Sequence, residues 1–137
     1  MATTENLSQA ARDSLTLVFA RFPSINQAIV FGSMASGLQR DVSDLDIAVS
    51  ANRLLTVEER IELIGALAES SGRPVDLIDL KCVSEPLLGQ ILRHGKRLLG
   101  SNTEYAKLMS RHVFEQADFM PYRKRVLAER RATWIGM

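Results

Sequence analysis

Short runs of apolar and β-branched residues alternate with helical periodicities through the first hundred residues, and this alternation limits the possible folds most. The runs typical of buried strands cover residues 27–31, 44–49 and 74–80, and a short edge strand is predicted at 97–99. Apolar side chains at helical spacing occupy the stretches between them, at about 4–22, 56–72 and 84–95. Because alternating strand and helix patterns pack as layers, the sequence predicts an α/β fold in which helices flank a small sheet.

Two of these helices have marked ends in the sequence. Thr56 is followed three residues later by Glu59, which is the pattern of a capping box, and Gly72 marks the end of that helix. Ser84 is expected to cap the next helix, with Pro86 in its first turn. Each of these two helices should therefore begin after the loop that follows a predicted strand.

The last part of the chain is predicted to be helical throughout. Helical spacing covers about Thr103 to Phe119 and about Pro121 to Ile135. Since 137 residues are the size of one domain, we expect a single domain over residues 1–137, with a core of about 1–100 and a helical tail of about 101–137.

Composition excludes several classes of protein. Seventeen Lys and Arg against sixteen Asp and Glu give a net charge of +1, so there is no overall field that would draw the chain to nucleic acid. The longest stretch without a charge, residues 22–39, is broken by Pro23 and Gly32 and predicts no membrane span. Cys82 is the only cysteine, is expected to be a small core residue, and can form no intramolecular disulfide. With no pattern of a leader peptide, these features indicate a cytoplasmic protein.

Three aspartates are the candidates for chemistry. Asp44 and Asp46 are two residues apart in a strand, so both should project from one face, where a divalent cation would compensate their charges. Asp76 is embedded among apolar strand residues and is expected to be the third member of this set. Asp79, three residues on, should lie on the opposite face, solvated at the strand end. The alternative for the first pair is two solvated carboxylates on an exposed strand end.

Gly32 and Ser33 follow the first strand and precede Gly37. A tight turn at this place can direct backbone N–H groups and a hydroxyl at a phosphate. The alternative is that Gly32-Ser33 is only a turn. The carboxylates that follow favour the phosphate-binding interpretation.

The spacing of these residues resembles that of a known superfamily. Gly32-Ser33, ten further residues and Asp44-x-Asp46 are similar to the signature of the nucleotidyltransferases that include DNA polymerase beta. The small size and the stretches around 91–99 and 122–135 look like the minimal nucleotidyltransferase antitoxins that are paired with HEPN ribonuclease toxins. The resemblance implies the nucleotidyltransferase fold, a small mixed β-sheet flanked by helices.

The resemblance also implies a reaction. In a type VII-like toxin–antitoxin pair, AMP would be transferred from ATP to a tyrosine hydroxyl of the cognate HEPN toxin, which is thereby inactivated. Asp44, Asp46 and Asp76 would be both the catalytic residues and the ligands of two Mg²⁺ ions, and Gly32 and Ser33 would bind the nucleotide. Two alternatives remain: an antitoxin that acts only by binding and occlusion, and a nucleotidyltransferase subunit that acts on a small molecule.

The end of the chain is the candidate surface for the partner toxin. Residues 120–137 contain five basic residues against one acidic residue, Glu129. Arginine and aromatic side chains are typical of interface anchors, so we expect the toxin to contact Tyr122, Arg123, Arg130, Arg131 and Trp134. The alternative is a solvated helix face. Nucleic acid is a less favoured partner because the rest of the chain carries a net negative charge.

Overall fold

The computed structural model of the chain describes residues 8–32 and 44–117. Within them, four strands form a sheet in the order β3-β2-β1-β4. The strands are β1 (Ile25–Phe31), β2 (Leu45–Ala51), β3 (Val75–Asp79) and β4 (Lys96–Leu99). β2 is parallel to β3 and antiparallel to β1, and β1 is antiparallel to β4. The predicted mixed sheet is therefore confirmed, including its short edge strand.

Four helices accompany this sheet in the described residues. They are α1 (Gln9–Phe19), α2 (Val57–Ser71), α3 (Leu87–His94) and α4, residues 102–117. Ser8 caps α1 by accepting a hydrogen bond from the backbone N–H of Ala11 at 3.1 Å. The earlier start predicted at residue 4 lies outside the described residues, as do the second predicted tail helix and the proposed anchor residues at 122–134.

The ends of α2 match the prediction. The hydroxyl of Thr56 accepts from the backbone N–H of Glu59 at 3.1 Å, and the Glu59 carboxylate accepts from the backbone N–H of Thr56 at 2.8 Å. Gly72 ends the helix in the left-handed region, at φ 69°, and donates its N–H to the carbonyl of Ala68. The capping box and the glycine stop thus fix both ends of the helix after β2.

The predicted side-chain cap of α3 is wrong. The helix begins at Leu87, Pro86 holds the N-cap position, and no side-chain cap is formed. Ser84 contributes its backbone instead, because its carbonyl accepts a hydrogen bond from the N–H of Leu88 at 3.1 Å.

Helices cover the two faces of the sheet in pairs. Side chains of α1 and α2 pack against one face, with the fully buried Leu45, Ile47 and Val49 of β2. Side chains of α3 and α4 pack against the other face, with Ile29, Ala48 and Leu80. Since neighbouring residues of a strand point to opposite faces, Asp46 must project on the side of α3 and α4.

Two predictions about polar residues near β3 are wrong. Asp79 is only 5% exposed, and its carboxylate accepts hydrogen bonds from the backbone N–H groups of Leu55 at 3.3 Å and Lys81 at 2.9 Å. Its charge is thus stabilised by backbone donors rather than by water. Cys82 is exposed and does not fill the core.

No helix within residues 8–32 and 44–117 is both long enough and apolar enough to cross a membrane.

The hydrogen bonds to Glu59, from Arg53 and from the capping box of α2, make stability depend on pH in a defined way. Hydrogen bonds from Arg53, then from the backbone of Thr56, lower the pKa of Glu59 from 4.5 to about 2. A lowered folded-state pKa stabilises the fold above pH 4.5, and this contribution is lost as the pH falls toward about 2. We expect the melting temperature of Glu59→Gln to lie below that of the parent at pH 7, and the difference to disappear as the solution is acidified through this range.

Differential scanning calorimetry from pH 7 to pH 2 measures this difference. Glu62→Gln, an exposed change on the same helix, is the control and should stay near the parent throughout. A difference for Glu59→Gln that persists unchanged at the acid end contradicts the assignment.

Candidate functional site

Strand register brings two of the predicted aspartates into one row across the sheet. Asp46 of β2 pairs with Asp76 of the parallel strand β3 and with Phe31 of the antiparallel strand β1. Residues that pair across neighbouring strands project from the same face. The carboxylates of Asp46 and Asp76 therefore lie side by side, and β1 ends directly next to them.

Asp44 completes the set from just before β2. It is exposed, whereas Asp46 is half-buried. Burial raises the pKa of Asp46, and the negative charges of Asp76 and then Asp44 raise it further, as does a hydrogen bond between Asp46 and Asp76. The structure thus places all three predicted acids close enough for their charges to interact, and this repulsion raises the pKa of the central one, Asp46.

Asp76 joins the set for a different reason from the one the sequence suggested. Its apolar neighbours predicted a buried charge, but β3 is an edge strand of the described sheet and Asp76 is exposed. Burial alone therefore requires no partner for it. The carboxylate next to it, held by the strand register, is what makes its position unusual.

Gly32 closes the site from the end of β1. Its φ of 73° lies in the left-handed region, where side chains are rarely found. A Cβ atom at this position would overlap Oδ2 of Asp46 and would come within 3.1 Å of its Cγ. A glycine is thus needed here both for the turn and for the close approach of the backbone to the carboxylate. Ser33, the other predicted nucleotide-binding residue, lies outside the described residues.

The charges of the three aspartates suit a divalent cation. In the described residues no lysine or arginine forms an ion pair with them. As they stand, no three His, Cys, Asp or Glu side chains of residues 8–32 and 44–117 converge tightly enough to hold a metal ion. The set nevertheless has the right chemistry, because Mg²⁺ is bound through one or two carboxylates together with substrate phosphates. The phosphate oxygens of the substrate would thus supply part of the coordination of the cation.

Comparison with known proteins agrees with this geometry. The profile of the family described as Polymerase beta, Nucleotidyltransferase matches residues 13–104, which include Gly32 and all three aspartates. The chain belongs to this family. The match also covers all four described strands, helices α2 and α3, and α1 from residue 13 onward.

Individual relatives are similar over most of the same region. Protein adenylyltransferase MntA of Shewanella oneidensis is 36% identical over 90 residues, which are 66% of this chain and 65% of the relative. This chain thus spans slightly less than two thirds of that relative's length. A chain of a crystal structure of a toxin–antitoxin with AMP-PNP is 27% identical, with a TM-score of 0.76, and the match covers 86% of this chain and 96% of that one.

A third similarity supports the fold alone. It is to a structure of a tri-AMPylated Shewanella oneidensis HEPN toxin in complex with an MNT antitoxin, with 24% identity, a TM-score of 0.72, and coverage of 88% of this chain and 96% of that one.

The close approach of Gly32 to Asp46 can be tested with two matched glycines. Gly32→Ala and Gly72→Ala both place a side chain at a positive φ, but nothing lies within 4 Å of the Cβ position at Gly72. We expect both variants to lose about 1 kcal/mol of unfolding free energy. Only Gly32→Ala should displace the Asp46 carboxylate and weaken Mn²⁺ binding, by about tenfold or more.

Isothermal titration of each variant with Mn²⁺ in the presence of AMP-PNP provides the measurement. Equal Mn²⁺ affinity in the two variants would show that the position of the Asp46 carboxylate does not depend on Gly32.

Proposed function

We propose that this protein transfers AMP from ATP to a tyrosine hydroxyl of a cognate HEPN toxin and so inactivates the toxin. The observation that carries the proposal is the row of Asp46 and Asp76, with Asp44 beside it and the Gly32 turn against it. The name of the relative, a protein adenylyltransferase, and the ATP analogue in the similar toxin–antitoxin structure support both the reaction and its nucleotide.

Each residue of the site has a part in this reaction. Asp44, Asp46 and Asp76 would hold two Mg²⁺ ions, which when bound neutralise charge on the phosphates of ATP. The backbone of Gly32 and the hydroxyl of Ser33 hold the triphosphate. The tyrosine oxygen forms a bond to the α-phosphorus, the bond from that phosphorus to the bridging oxygen breaks, and pyrophosphate leaves. Asp76 accepts the tyrosine proton, since its exposed position on the edge strand β3 leaves room for a macromolecular acceptor.

The carboxylate set favours catalysis over simple occlusion of the toxin. A protein that only covers its partner has no need of three mutually repelling carboxylates, one of them half-buried with a raised pKa. A reaction on a small molecule would need further protein surface to enclose that substrate. ATP as substrate also favours the cytoplasm as the site of action.

The reaction predicts a clear result for single neutral substitutions. Asp46→Asn and Asp76→Asn should each reduce AMP transfer to the toxin by about a hundredfold or more, because each removes one charge from the cation site. Both variants should fold, and removal of one of several like charges should not destabilise the protein. Asp13→Asn, on the exposed surface of α1, is the control and should retain full transfer.

Intact-mass spectrometry of both chains, after incubation with ATP, Mg²⁺ and the cognate HEPN toxin, measures the number of AMP groups added. Addition of EDTA should abolish the reaction in the parent. Undiminished transfer by the Asp46→Asn, Asp76→Asn double variant would rule out the proposed site, and toxin inhibition without any mass change would favour occlusion.

We further propose that the basic segment at 120–137 binds the toxin. It lies outside the described residues, and the support is its composition, with arginines and aromatic residues in a chain of nearly balanced charge. Charge reversal in Arg123→Glu, Arg130→Glu, Arg131→Glu together should weaken toxin binding by about tenfold or more and leave ATP binding unchanged.

Calorimetric titrations of this triple variant with the toxin and with ATP separate the two effects. The triple change Arg21→Glu, Arg93→Glu, Lys96→Glu, at exposed basic residues of the described region, is the control for net charge. Unaltered toxin affinity in the tail variant, or an equal loss in the control, would remove the segment from the interface.

A further inference from the structure

A polar cavity lies between the sheet and α4, near the carboxyl ends of the parallel strands β2 and β3. Its volume is about 180 Å³. The polar side chains that line it come from β1, β2, the turn after β3 and one side of α4: Gln27, Ser50, Lys81, Glu104, Lys107 and Arg111. Three of these six side chains are cationic and one is anionic.

Gln27 is the most unusual of these residues. It is only 2% exposed, and its Nε2 has no hydrogen-bond partner in the described protein. A buried donor without an acceptor costs about 1–3 kcal/mol. The backbone is shaped around this side chain, because Gly100, at φ 131°, would place a Cβ atom 3.1 Å from the Cγ of Gln27. The fold thus holds an unused N–H donor at the wall of the cavity.

Arg111 presents a second unused donor. One end of its guanidinium is fixed, since Nη2 donates to the carbonyl of Val83 at 3.0 Å. Its Nε is buried and has no hydrogen-bond partner, although Oε1 of Glu115 lies 3.6 Å away. That carboxylate balances part of the charge of Arg111 but does not satisfy its N–H group.

The lysines leave the cavity with a positive charge. Lys107 is paired with Glu104 at 3.3 Å. Lys81 forms no ion pair with any carboxylate of residues 8–32 and 44–117. Even with Glu115 counted beside Arg111, one positive charge is therefore left, next to two buried N–H donors that have no acceptor.

We propose that this cavity binds a phosphate group, either as inorganic phosphate or as one end of pyrophosphate. Arginine, lysine and amide N–H groups donate to phosphate oxygens, and charge-assisted hydrogen bonds of this kind are the strong ones. The volume of about 180 Å³ is below the range of about 300–1,000 Å³ that is usual for pockets of drug-sized ligands, so it suits a small anion rather than a whole nucleotide.

This site is separate from the three aspartates. Gln27 pairs with Ser50, and Phe31 pairs with Asp46, so the two places are four residues apart on both strands. At a rise of about 3.3 Å per residue this is roughly 13 Å along the sheet. The site needs no divalent cation and does not depend on the proposed transfer reaction.

Titration of the isotope-labelled protein with inorganic phosphate, and separately with pyrophosphate, tests the site by NMR. The solutions contain EDTA and no Mg²⁺, because the three aspartates then repel anions. We expect the side-chain amide signals of Gln27 to shift in a saturable way with at least one of the two probes. The probe that binds more tightly shows whether the cavity binds inorganic phosphate or pyrophosphate. No saturable shift with either probe overturns the proposal.

Variants assign any binding to this cavity. Lys81→Ala should raise the dissociation constant about tenfold, because it removes a charged donor from an exposed position without touching the core. Gln27→Leu should have a similar effect, and the Lys81 variant keeps the test valid if this buried change impairs folding. Lys96→Ala, an exposed lysine on β4, is the control and should bind as the parent does.

Asp46→Asn should also bind phosphate as the parent does, whether or not the transfer reaction is found. Equal weakening in Lys81→Ala and Lys96→Ala, or loss of binding in Asp46→Asn, would place the anion elsewhere and contradict the proposal.

Discussion

The pairing register of β2 with its two neighbours is the constraint on which the site depends. β2 is one of two inner strands, and its apolar residues are buried on both faces: Leu45, Ile47 and Val49 on one face and Ala48 on the other have no exposed surface. A slip of one residue would exchange the two faces of β2 and would direct the acids into the core formed with α1 and α2. The hydrophobic core therefore fixes the register, and the register in turn holds Asp46 against Asp76.

The fold consequently holds the carboxylates of the site together although they repel one another. Three carboxylates repel one another, and the central one is also partly desolvated, so the pKa of Asp46 is raised. Packing of two helices on each face supplies the stability that tolerates this repulsion. Such a cost is reasonable where a cation and a polyphosphate are to be bound, because each then compensates the charge of the other. The glycine at the end of β1 keeps the backbone close without displacing the carboxylate.

Local signals in the sequence predicted the elements well. The capping box of Thr56 and Glu59 and the stop at Gly72 were predictable because their partners lie within four residues. The electrostatic interaction of Asp44 with Asp46 is local in the same way. The family resemblance implied a mixed sheet, but neither the order of the strands nor the parallel pairing of β2 with β3 was predicted, since local periodicity carries no information on which strands pair.

The wrong predictions also arise because local patterns carry no information on contacts between residues that are distant in sequence. Asp79 was expected to be solvated, but it accepts a hydrogen bond from Leu55, which is 24 residues away in sequence. Only its bond from Lys81, two residues on, follows the local pattern of an Asx turn. Gln27 was predicted only as part of a strand. The residues next to it in sequence do not indicate that α4 brings Arg111 and Lys107 to the same cavity.

The central claim is that the row of aspartates is the cation site. Paramagnetic broadening by Mn²⁺, measured by NMR with AMP-PNP present, locates the ion directly. We expect the earliest loss of signal at Gly32, Asp46 and Asp76, with the resonances of α4 around Glu104 and Glu115 affected last. Broadening that begins at α4, or that is unchanged in Asp46→Asn, would contradict the account.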